Sequence, residues 1–83
     1  MLHLIKEAIM ANKHVRELAI RAITNYFKGK YVEVDDSGLA FDVRVYTKKG
    51  GKEIVFFGYD SIKENNVVGK YSSGQDDIEI PLS

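Results

Sequence analysis

The hydrophobic period of the chain changes at Gly29, from a helical repeat before it to twofold alternation after it. A helix followed by strands within one short chain is the signature of an α+β fold. On a helical wheel covering Met1 to Lys28, Ile5, Ala8, Val15, Ala19, Ala22, Ile23 and Tyr26 share one side, and Lys6, Lys13, Glu17, Arg21 and Lys28 share the other. Glu17 precedes Arg21 by four residues, the favourable spacing and order for a helical ion pair. Gly29 follows directly on Lys28, as helix ends commonly read.

Asn12 falls within the apolar stripe, where a buried amide is destabilising unless it is hydrogen-bonded. An unbroken helix over this segment would be roughly 40 Å long, and a domain of this size is only about 30 Å across. The expectation is a helical segment over residues 1–29 that bends or breaks near Asn12, with Asn12 capping a second helix. The alternative is one helix whose first turns, with Leu2, Leu4, Ile5 and Met10, overhang and are covered by a second subunit in a homodimer.

From Lys30 onward, Val32 and Val34 alternate with Tyr31, Glu33 and Asp35 up to the turn Asp36-Ser37-Gly38, marking a first strand. Leu39, Phe41, Val43 and Val45 then alternate with Ala40, Asp42, Arg44 and Tyr46, the pattern of a strand with one dry and one wet face. The sequence Lys48-Lys49-Gly50-Gly51 suits a tight hairpin, and Ile54 to Tyr59 returns as a strand apolar on both faces, hence central. Asp60 to Asn66 reads as a polar turn. Val67 to Tyr71 and Ile78 to Leu82 each predict a further short strand, and Pro81, which cannot donate to a ladder, places the last at a sheet edge. The architecture expected over residues 30–82 is an antiparallel meander of three to five strands, covered on one face by the helical segment.

With 83 residues, 45% of them hydrophobic and 29% charged, the chain is expected to form one domain with one core. There is no cysteine to staple it, so stability must come from packing. The lack of cysteine fits a reducing compartment, and the cytoplasm is the expected location. The N-terminal sequence carries charges among its apolar positions, so neither a signal peptide nor a membrane span is read there.

Sequence forms that carry catalysis are not found: no Gly-x-Ser-x-Gly, no His-Glu-x-x-His, and a Tyr71 where a phosphate-binding loop needs Ser or Thr after Gly69-Lys70. His3 and His14 would stand about 16 Å apart along an unbroken helix, too far to share a metal ion. Asp35-Asp36-Ser37-Gly38 lacks the alternating carboxylates of a calcium loop and reads as turn chemistry, while Asp76, Asp77 and Glu79 read as charges guarding an edge strand. A metal-dependent hydrolase would need Asp42 and Glu53, with Lys52, to converge around a cation. Solvent-facing charge is the plainer account of these residues, and no cofactor or metal is expected.

Twelve basic and twelve acidic residues cancel, yet they are unevenly spread. Residues 1–30 carry a net charge of +4 and the hairpin from Lys48 to Lys52 adds +3. Lys13, Arg16, Arg21, Lys28 and Lys30, with Lys48, Lys49 and Lys52, would form a phosphate-contacting surface if the fold brought the two segments together. Tyr26, Phe27, Tyr31 and Tyr46 would then offer stacking surfaces to unpaired bases. Solvated lysines on a helix and a hairpin tip explain the same residues without a ligand. The leading expectation is therefore a small non-enzymatic protein, inhibitor- or adaptor-like, that docks onto a protein partner. Nucleic-acid binding through the basic residues is the alternative, with the hydrolase third.

Overall fold

A computed structural model describes residues 13–37 and 40–82. Within them lie one helix, α1 (Lys13–Tyr26), and six strands: β1 (Tyr31–Asp36), β2 (Phe41–Tyr46), β3 (Glu53–Phe57), β4 (Ile62–Lys63), β5 (Asn66–Tyr71) and β6 (Ile78–Pro81). The fold is α+β, with the helix packed on an entirely antiparallel sheet. The expected bend at Asn12, the apolar turn around Leu2 to Met10, His3, and Leu39 as the first residue of the second strand lie outside the described residues.

Arg16, Ala19, Ile23 and Phe27 form the buried stripe of the helix, at spacings of three, four and four residues. This stripe shares Ala19 and Ile23 with the expected one but is turned slightly from it, since the expected stripe also ran through Val15, Ala22 and Tyr26. Val15 and Ala22 are half-buried at its margin, and Tyr26 is 58% exposed while Phe27 is 9%. The reason lies in the sheet, which supplies a carboxylate for Arg16 and the ring of Phe57 for Phe27. After Tyr26 the chain turns, Phe27 N and Lys30 N donating to Ile23 O and Phe27 O at 3.0 and 2.9 Å, with Gly29 at φ +92°. The left-handed conformation is one that glycine adopts without steric penalty.

Successive pairings run β1 to β2 to β3, and β3 and β4 then meet β5 one after the other, with β6 on β5 as well. Counted this way the sheet is the expected meander, with its third strand interrupted between Phe57 and Ile62 by a 3₁₀ turn at Tyr59–Ser61. The short β4 occupies the stretch read from sequence as a turn. Two residues carry no period to read, and Ser61 and Ile62 are nevertheless buried.

Phe41, Val43 and Val45 of β2 face the helix with Val55 and Phe57 of β3, Val67 of β5 and Ile78 and Ile80 of β6. β3 is central, and its apolar residues Ile54 and Phe56 are half-buried, as its two-sided apolarity predicts. β1 and β6 are the outer strands. Leu82 N donates to Asn65 O at 2.8 Å, so alternation turns the nitrogen of Pro81, which has no proton, to the outer side of β6.

Candidate nucleic-acid interface

The pairing of β1 with β2 decides where the basic residues stand. Tyr31 is opposite Tyr46, so Lys30 and Thr47 lie one residue beyond this pair on adjacent strands. The hairpin that follows is closed by Thr47 N donating to Lys52 O at 2.9 Å and Gly51 N to Lys48 O at 2.8 Å. Lys28 and Lys30 from the α1–β1 turn therefore share one end of the molecule with Lys48, Lys49 and Lys52. All five lysines are exposed, and none forms an ion pair among the described residues.

The other three expected members lie elsewhere. Lys13 is exposed at the far end of α1, fifteen residues from Lys28, or roughly 20 Å along a helical path. Arg21 is exposed on the flank of α1, beside a groove toward β6. Arg16 is buried, its Nε donating to Asp36 Oδ1 at 2.8 Å, so its charge is engaged inside the protein rather than offered to a ligand. Spacing marked this position, because Arg16 stands three residues before Ala19 and seven before Ile23, on the helical stripe that becomes buried.

The aromatic residues divide as well. Tyr31 and Tyr46 flank the lysine end on the sheet face away from the helix, ring centroids 6.0 Å apart and planes inclined at 49°. The Tyr46 hydroxyl donates to Glu33 Oε1 at 3.2 Å. Partial burial, and then this hydrogen bond and the negative charge of Glu33, hold the Tyr46 phenol above its ordinary pKa. Tyr26 instead borders the groove between α1 and β6, with Leu18, Ala22, Ile80, Pro81 and Leu82, and its ring meets Phe27 edge-on at 4.9 Å.

Beyond the tyrosines, the face away from the helix becomes acidic. Glu33, Asp35, Asp42 and Glu53 alternate with inward residues on β1, β2 and β3, around Arg44. Arg44 lies over the Phe56 ring at 4.5 Å and donates through Nη1 to Glu53 Oε1 at 3.1 Å. Sequence reading did not find this cation–aromatic stack, since it depends on Arg44 pairing directly with Phe56 across the strands.

The residues weighed for metal chemistry are kept apart. Asp42 pairs opposite Asp35, and Glu53 opposite Tyr46, so four residues of β2 separate them, about 13 Å along a strand, with Arg44 between. Asp35 and Asp36 project to opposite faces, Asp36 toward Arg16. Asp77 pairs with Lys70 at 3.4 Å. Among the described residues no three His, Cys, Asp or Glu side chains are grouped to hold a metal ion, and no described helix is long and apolar enough to cross a membrane.

The contiguous basic end, bordered by two tyrosines and then by carboxylates, is the arrangement best suited to holding a polyanion at a defined place. Comparison with known proteins adds no name: no family model, curated protein or solved structure matches this chain.

Proposed function

We propose that this protein is a non-enzymatic binding module whose basic end holds a single-stranded nucleic acid. The observation that carries this reading is the juxtaposition of two basic segments, Lys28 and Lys30 with Lys48, Lys49 and Lys52, which the β1–β2 register brings to one end. Unpaired lysines exchange condensed counterions for phosphates, giving affinity without sequence preference. Tyr31 and Tyr46 stand where an unpaired base can stack, a contribution of about 1 to 3 kcal/mol per base. The acidic surface beyond them repels phosphate and confines the strand to the lysine end.

The test is binding of a fluorescent single-stranded oligonucleotide to a K30Q/K48Q/K49Q variant and to a K13Q control. Affinity falls at least about ten-fold in the first and little in the second. Equal effects of the two variants would remove the lysine end from the account.

A second reading, docking onto a protein partner, is supported by a different surface. Leu18, Ala22 and Tyr26 of α1 and Ile80, Pro81 and Leu82 line an apolar surface groove with Arg21 and Asn25 beside them. Ala22→Arg, which fills this groove with charge, would then abolish binding to such a partner and leave oligonucleotide binding intact.

A further inference from the structure

In an antiparallel ladder, alternate residues turn their N–H and C=O to each side of a strand. Ser37 N donates to Ala40 O at 3.2 Å, which sets the phase of β1: Tyr31, Glu33 and Asp35 bond β2, and the backbone groups of Val32, Val34 and Asp36 face outward. Among the described residues β1 pairs with β2 alone, and no backbone hydrogen bond reaches that outer side.

Exposed edges are commonly guarded by proline, lysine or a bulge. β6 has Pro81 on its outer side, whereas the sequence Tyr-Val-Glu-Val-Asp-Asp of β1 has neither proline nor lysine. Its register with β2 is unbroken over six pairs. Val34, although it points to the helix side opposite Val43, is 41% exposed, since among the described residues no further strand covers it.

We infer that the outer edge of β1 is a strand-addition site for an extended basic segment of another protein. Strand addition draws affinity from backbone bonds and specificity from alternate side chains. Partner residues bonded to Val32 and Val34 share their face and are apolar there. The intervening ones lie beside Glu33, whose cross-strand neighbour Arg44 is itself paired with Glu53, and beside Asp35, whose cross-strand neighbour is Asp42, and are Lys or Arg. A second copy of this chain is disfavoured: twofold pairing centred on Val34, which bonds all three outer residues, sets Glu33 against Asp35 twice, and like charges directly opposite are destabilising. This site is separate from the lysine end and stands or falls independently of it.

The test uses the full chain and a fluorescent peptide of alternating valine and lysine, with a control peptide holding the same residues in two blocks. Anisotropy reports affinity and amide exchange reports the bonds formed. The alternating peptide slows exchange at Val32 and Val34 and binds at least about ten-fold tighter than the control. Val34→Pro removes one outward donor without removing a β1–β2 bond, and it abolishes that protection. Glu33→Lys, a surface change that leaves the backbone intact, weakens the peptide at least about ten-fold.

Equal affinity for the two peptides, or full binding by E33K and a V34P variant whose β2 amides remain protected, would overturn the inference. So would protection at Val32 and Val34 that arises from concentration-dependent self-association without peptide.

Discussion

Arg16 and Asp36, twenty residues apart in sequence, form an ion pair of 2.8 Å between the helix and the end of β1, with side chains only 8% and 18% exposed. The bond holds β1 to the helix at one end, and the α1–β1 turn holds it at the other. Position of the edge strand, and hence of Lys30 beside the hairpin, depends on both. Removing the carboxylate leaves a guanidinium in a site already drained of water, so Asp36→Ala lowers stability by about 2 to 3 kcal/mol. Denaturant unfolding measures it. A double-mutant cycle with Arg16→Met gives a coupling energy of at least about 1 kcal/mol.

Gly69 of β5 lies under the Phe57 ring. A Cβ at this position would stand 2.5 Å from Phe57 Cε2 and 2.8 Å from Val55 Cγ1, closer than packed atoms come. Gly69→Ala is destabilising by about 1 to 3 kcal/mol through overpacking. Phe57→Leu in the same chain recovers part of that loss, whereas independent sites would show additive losses.

Inside and outside on β2 and its hairpin separate cleanly. Phe41 is 2% exposed and Val43 fully buried, so truncating either to alanine leaves a cavity and lowers stability by about 2 to 4 kcal/mol. Lys49, exposed at the hairpin tip, changes stability by less than about 0.5 kcal/mol when made alanine. Thermal or denaturant melts of the three variants check the assignment.

The Tyr46 phenol is held above its ordinary value of about 10, by partial burial and by donation to Glu33. Because the folded value is raised, the stabilisation is fully present below the ordinary pKa and is lost as pH rises through the folded one. Ultraviolet titration of the tyrosines finds one group ionising late, and Glu33→Gln moves it back toward its ordinary range. Stability below pH 9 is unaffected by this linkage.

Much of the fold was legible because local period reports on local burial. The alternation through Phe41, Val43 and Val45 identified a strand with one dry and one wet face. The two-sided apolarity from Ile54 identified a central strand, though one expected to run on to Tyr59 where it ends at Phe57, and Pro81 identified an edge. Features that failed to show were set by partners distant in sequence. The spacing sets Arg16 on the buried stripe, but its charge reads as solvent-facing until Asp36 is known to reach it, and Ile62 has too few neighbours of its own to mark a strand. The two basic segments were visible separately. Their meeting depends on Tyr31 pairing with Tyr46, a register that neither segment encodes alone.

The most direct measurement of the central claim is the affinity of a single-stranded oligonucleotide across a series of salt concentrations. If five lysines at one end hold its phosphates, the logarithm of the association constant falls linearly with the logarithm of salt, with a slope of about −2 to −3.5, and K30Q/K48Q/K49Q flattens that slope by about 2. Binding insensitive to salt, or a slope unchanged in the triple variant, would contradict it.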